Sequence, residues 1–169
     1  MWLNILPIRE RDGARIEFDY PLDLSELELY GECPIPEPVR VHGFAEQRAN
    51  VLMLHAECEY DVHSRCARCL KPVTVPTVRY IDRPMADSVA DEDDDYADEI
   101  ILIENDGIDL DEVAREAVIL EAEYSYLCSE DCKGLCPTCG ADLNEGPCSC
   151  KKEVDERFAA LADLLRNDE

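Results

Sequence analysis

"VLMLHAECEYDVHSRCARCL", residues 51–70, carries the reading on which the fold turns. Leu52, Leu54, Ala56, Cys58, Tyr60 and Val62 alternate with Met53, His55, Glu57, Glu59, Asp61 and His63. Successive side chains of a strand point to opposite faces, so this period of two predicts a half-buried antiparallel strand. Upstream, "VRVHGFAEQ" supplies a partner arm, and the hairpin turns near Ala49 and Asn50. Downstream the strand runs into "CARCLKP", and "VTVPTVRYI" leads away as a third arm, which puts Cys66 and Cys69 at a strand-to-strand turn. Pro76 has no N–H to give a ladder, so the third arm is expected at a sheet edge.

Working outward, the prolines and Gly31 of "RIEFDYPLDLSELELYGECPIPEP" predict irregular structure and a turn, and Trp2 to Ile8 reads as a first strand. Residues 87–99 hold eight acidic side chains in thirteen, the composition of an exposed, self-repelling loop. "IILI" after it reads as a buried strand. Asp109 and Glu112 have capping-box spacing, and Leu110, Val113, Ala114, Ala117 and Tyr124 recur at three and four residues, predicting a helix over about 109–123 with Arg115, Glu116 and Glu121 toward water. A second amphipathic helix is expected in "DERFAALADLLRN", with Phe158, Leu161, Ala162 and Leu165 on one stripe. The expected fold class is α+β: an antiparallel β meander with one or two packed helices over residues 1–127, and a cysteine-rich zinc-binding tail with a closing helix over 128–169.

The chain has 169 residues and ten cysteines, and 16 Lys plus Arg against 40 Asp plus Glu give a formal charge of −24. Such a surface repels phosphate backbones, so extensive direct RNA contact is disfavoured and a basic protein is the better electrostatic match. Arg65, Arg68, Lys71, Arg79 and Arg83, around the first cysteine pair, are the cluster with a chance of touching phosphate. There is neither a basic segment ahead of the N-terminal apolar run nor a long apolar span, which predicts a cytoplasmic chain. In that reducing compartment clustered thiols are metal ligands before they are disulfides.

"CPTCG" at Cys136–Gly140 has the form of a zinc knuckle: two thiols two residues apart, Pro137 stiffening the turn, Gly140 free to adopt the left-handed conformation after the second ligand. Cys148 and Cys150 of "CSC" supply the remaining two ligands after a loop of suitable length, with Cys132 the nearest substitute should one fail. Arithmetic then pairs Cys66 and Cys69 with Cys128 and Cys132 in a second tetrahedral site that would staple the tail to the sheet. The competing reading makes Cys66 and Cys69 a redox pair, in a thiol-redox enzyme or redox-controlled chaperone; strand flanks in place of a helix N-terminus speak against it. Cys33 and Cys58 read as buried small apolar residues. His42, His55 and His63 lack ligand spacing and read as surface or edge residues. No phosphate loop, nucleophile triad or apolar carboxylate pair is present, so no enzyme is expected.

"CARCL" with "KP" behind it, the acidic stretch, "IDLDEVAREAVILE", "CKGLCPTCGADLNEGPCSC" and "DERFAALADLL" together resemble the YceD family of large-subunit (23S) ribosomal RNA accumulation proteins. The resemblance runs from about Cys66 to Leu165. It implies a bacterial cytoplasmic protein needed for accumulation or processing of that RNA; the absence of catalytic motifs makes it a non-catalytic factor, the tail is too short for a core of its own and so predicts a structural metal, and the acidic charge points to a basic ribosomal protein or assembly intermediate as partner.

Overall fold

The structure is a computed structural model that describes residues 1–88 and 99–150. Most of the acidic stretch and the closing helix expected at 155–167 lie outside those residues. In chain order the elements are β1 (Trp2–Asn4), α1 (Leu6–Arg9), β2 (Arg15–Leu22), β3 (Val39–Arg48), β4 (Val51–Arg65), β5 (Pro72–Ala86), β6 (Ile101–Leu102), β7 (Gly107–Asp109) and α2 (Leu110–Leu120). The main sheet has the order β2-β3-β4-β5-β6, antiparallel except for the short parallel β5–β6 pair, and β1 pairs with β7 in a small second sheet. This is the α+β class that the sequence predicts.

β4 behaves as its alternation requires. Leu54, Ala56, Cys58, Tyr60 and Val62 are buried, Leu52 is partly so, and their odd-numbered neighbours face outward. The β3–β4 hairpin turns at Ala49 and Asn50, both left-handed (φ 50° and 67°), the two-residue form whose twist suits flanking strands. Ala49 N–H donates to Asp12 Oδ1 at 2.7 Å, which fixes the turn against the preceding loop. On the inner face, Val39, Val41, Ala45 and Ile81 join the β4 residues under Ile5, Ile8, Ile108, Leu110, Val113, Ala114 and Val118, so both helices and the small sheet cover one side. The outer side carries polar pairs, among them the ion pair of Arg40 with Asp19 (2.8 Å) and the hydrogen-bonded contact of His55 with Asp82 (2.5 Å).

Five expectations are corrected. Trp2 to Ile8 is not one strand: β1 ends at Asn4, and Pro7 stands in the first turn of α1, where a missing N–H costs no hydrogen bond. "RIEFDYPL" is a strand, with Pro21 tolerated because β2 lies at the sheet edge. α2 stops at Leu120, so Tyr124 lies beyond it and is 83% exposed, against Tyr30 (ring centroids 5.1 Å apart). Cys33 is exposed, on the segment after the tight Leu29–Glu32 turn, while Cys58 is fully buried and its thiol is pushed up to about 11 by that burial. "IILI" forms a strand only at Ile101–Leu102, with Ile101 and Ile103 buried.

At the start of α2, Asp109 accepts from the Asp111 N–H at 3.0 Å, satisfying one of the helix's orphan donors. The exchange Asp109→Ala should cost about 1 kcal/mol of stability. Urea denaturation reads this directly, and an unchanged midpoint would show that the cap contributes nothing.

Candidate metal centres

The β4–β5 connection is a closed loop. Leu70 N–H donates to Cys66 O at 2.9 Å, Cys66 N–H donates to Lys71 O at 2.8 Å, and Leu70 is left-handed (φ 61°). The tail repeats that mould: Gly140 N–H donates to Cys136 O at 2.8 Å, Cys136 N–H donates to Ala141 O at 2.8 Å, and Gly140 has φ 73°. "CARCLK" and "CPTCGA" are therefore the same six-residue knuckle. The glycine announces the second in the sequence, whereas the first hides its left-handed position under a leucine.

Each knuckle meets a second pair of thiols. Cys66, Cys69, Cys128 and Cys132 form one group, and Cys136, Cys139, Cys148 and Cys150 the other, with all ligand atoms of a group within 4.8 Å of one another. Cys66 Sγ stands 3.7 Å from Cys132 Sγ, and Cys69 Sγ 3.6 Å from Cys128 Sγ. A tetrahedral ion with thiolate bonds of about 2.3 Å needs sulfurs about 3.8 Å apart, whereas a disulfide needs about 2 Å. Both quartets fit an ion. All eight residues named as candidate ligands from the sequence stand in these groups, in the expected pairs, and Cys132 belongs to the first and not to the second.

Distant segments meet here because backbone groups carry them together. Ala67 N–H donates to Tyr126 O (2.8 Å) and brings the chain after α2 beside the turn, delivering Cys128. Arg68 donates from Nη1 to the carbonyls of Glu130 and Cys132, both at 2.9 Å, and its own carbonyl accepts from Leu135 N–H at 3.0 Å. Gly134, left-handed at φ 73°, passes so close that a Cβ would lie 2.8 Å from Arg68 O. Apolar packing is scant: among the described residues, only Val73 and Leu135 pack around Cys66, Cys69 and Cys132.

The thiols are electrostatically unequal. N–H groups of Cys128, Cys69 and Arg68 aimed at Cys66 bring it down to about 6, and those of Cys139 and Thr138 bring Cys136 to about 6. Hydrogen bonding to the sulfurs of Cys132, Cys69 and Cys66 pushes Cys128 up to about 12, as the Cys139 sulfur does for Cys150. Cys69 and Cys148 are also raised: N–H groups of Lys71 and Cys150 pull them down, but burial and neighbouring sulfurs outweigh that pull. Burial resists ionisation of Cys132, yet the Gly134 N–H and the Asn144 amide lower it. Each quartet thus holds a ready thiolate beside thiols that only a cation would deprotonate.

The basic cluster is largely consumed by the fold. Arg68 holds the tail, Lys71 pairs with Asp142 (2.7 Å), Arg79 donates to Glu121 O (2.8 Å), and Arg83 pairs with Glu116 (3.0 Å). On the outer face, the β3–β4 register places His42 opposite Glu57, and with Glu59 these form a third group of potential donors. No spacing along the chain reveals a cross-strand group. Glu59 already serves Arg40 at 3.4 Å, as expected of an ordinary surface network. Near the first quartet, Tyr60, Val62, Val118, Tyr124 and Tyr126 line a cleft of about 310 Å³. Among the described residues no helix is long and apolar enough to cross a membrane.

Fold and site define a class: a small α+β protein whose C-terminal segment shares one four-thiol group with the β4–β5 turn and carries a second of its own. Residues 54–165 match the family model described as "Large ribosomal RNA subunit accumulation protein YceD", and the chain belongs to the YceD family. It is 31% identical over 169 residues to the uncharacterized protein YlbN of Bacillus subtilis, covering 98% of this chain and 97% of that one. It is 37% identical over 102 residues to an uncharacterized protein of Mycobacterium tuberculosis H37Rv, covering 59% of this chain and 49% of the relative, so the match spans about half the length of that protein. A third relative is the large ribosomal RNA subunit accumulation protein YCED homolog 1, chloroplastic, of Arabidopsis thaliana, 38% identical over 58 residues, 34% of this chain and 18% of that one. No solved structure matches the chain.

Proposed function

We propose that this protein is a non-catalytic factor in accumulation of the large-subunit ribosomal RNA, holding one zinc ion in each quartet and acting in the cytoplasm through a basic ribosomal protein or assembly intermediate. The observation that carries the reading is the family match over 54–165, which contains all eight clustered cysteines. Zinc is favoured by the donor set, four thiolates at tetrahedral spacing around a redox-inert cation. The ions' role is structural, because all four ligands of each quartet come from the protein and leave no open position for a substrate. Redox use of Cys66 and Cys69 finds no support, since both face Cys128 and Cys132 at ligand distance on a strand-to-strand turn.

A protein partner, and not the RNA backbone, follows from charge. The chain carries −24, and four of the five cations in the cluster around the first cysteine pair, Arg68, Lys71, Arg79 and Arg83, are engaged within the fold, which weakens that cluster as a phosphate site. The test is capture of purified large-subunit proteins by the immobilised chain at about 50 and about 500 mM salt, since added salt screens exposed charge. Retention of a basic protein at low salt and its loss at high salt is expected. Retention of naked ribosomal RNA in its place, or of nothing, would overturn the partner reading.

A further inference from the structure

The loop between Cys139 and Cys148 has both ends anchored as ligands of the second quartet, yet its middle serves the first. Asn144 Oδ1 accepts from Lys133 N–H at 2.8 Å, while its Nδ2 donates to Asp142 Oδ1 at 2.7 Å and reaches Cys132 Sγ at 3.5 Å. The orientation of the amide follows from its partners, because a backbone N–H requires the oxygen and a carboxylate requires the nitrogen. Asp142 also accepts from Asn144 N–H at 2.9 Å and pairs with Lys71 at 2.7 Å, and the Lys71 carbonyl closes the Cys66 knuckle. Leu143 N–H donates to Gly134 O at 2.9 Å, midway between Cys132 and Cys136.

Resting on the proposal that each quartet holds an ion, we infer that the two centres load as one cooperative unit, with Asn144 the positioning residue that links them. An ion in the second quartet fixes both ends of the loop and so presents the Asn144 amide to Cys132, where it supports the thiolate and sets the sulfur's direction. Partners behind a ligand tune affinity in this way. Linkage is reciprocal, so an ion in the first quartet favours the second by the same factor.

The full chain, loaded with cadmium-113 and titrated with a competing chelator, gives separate NMR resonances for the two centres. Cys139→Ser with Cys148→Ser disables the second centre and should weaken cadmium binding at the first by about 10- to 100-fold. Asn144→Ala should weaken the first centre comparably while leaving the second quartet's ligands intact. Asn144→Asp keeps the acceptor for Lys133 but loses the donor to sulfur, and should fall nearly as far. Adding Asn144→Ala to the double serine variant should cost little more, because a relay already disconnected has nothing left to transmit. A first centre within about twofold of wild type in Asn144→Ala, or losses that multiply in the combined variant, would overturn the inference. Should the serine variant lose the first centre altogether, Asn144→Ala and Asn144→Asp still decide.

Discussion

Chelating the metal from the loaded protein is expected to free residues 128–150 from the sheet while the sheet itself stays folded. The main core draws on β1 through α2, with Tyr126 packed against it, and among the described residues contains none of 128–150. Among those residues the apolar packing around the first quartet is Val73 and Leu135, too little surface to order a segment of that length. A structural zinc supplies about 10–16 kcal/mol of apparent binding free energy in comparable small folds, more than any single contact here. Trypsin should therefore cut at exposed Lys133 at least ~10-fold faster after chelation, because cleavage requires local unfolding, whereas Arg40 and Arg79 within strands stay protected. A tail that remains equally resistant when stripped of metal would sink the structural role.

The same centres set a pH dependence with a definite sign. Cys69 and Cys128 in the first quartet, and Cys148 and Cys150 in the second, have raised pKa values and are protonated at neutral pH. Metal must displace those protons, so affinity rises with pH and is lost on acidification. Cys66 and Cys136, near 6, protonate in the free protein only as pH falls through that value, which steepens the loss below it. Calorimetry in buffers of different ionisation enthalpy should find at least about two protons released per ion at pH 7, one for each thiol of raised pKa; release of none would contradict the assignment.

The other large effect lies in the sheet. Gly43 of β3 faces Ala56 of β4, and a Cβ there would stand 2.1 Å from His55 O and 2.7 Å from Ala56 Cα. Both obstacles are backbone, so no side chain can swing aside; the two central strands must separate. Gly43→Ala should cost about 3–5 kcal/mol, at the upper end for a point change. Urea denaturation measures it, and a loss below about 1 kcal/mol would show that the ladder yields more easily than a close-packed interior should.

Where the chain repeats a local rule, its sequence is legible. β4 shows in its alternation, α2 in its spacing, and the tail knuckle in Pro137 and Gly140. β2 was hidden although Ile16, Phe18, Tyr20 and Leu22 alternate, because Pro21 argues against a strand unless its edge position is known. Tyr124 fits the helical period but not the helix, since periodicity does not report where backbone hydrogen bonds stop. The union of Cys66 and Cys69 with Cys128 and Cys132 follows from counting leftover thiols, but the contacts that enforce it, from Arg68, Tyr126 and Asn144, are long-range and leave no mark in spacing.

Among the described residues β5 has a strand neighbour on its outer side only at Met85 and Ala86, which leaves most of its length a rim of the sheet there. Ala86 O reaches outward to Ile103 N–H at 2.8 Å, and the unbroken register with β4 means that every even-numbered residue of the strand points its backbone the same way. Pro72, Pro76 and Pro84 are all even-numbered, so each removes a donor from that rim and none from the interior ladder. A stray strand from another molecule would find gaps wherever it tried to zip along, which protects an exposed sheet from fibrillar self-association.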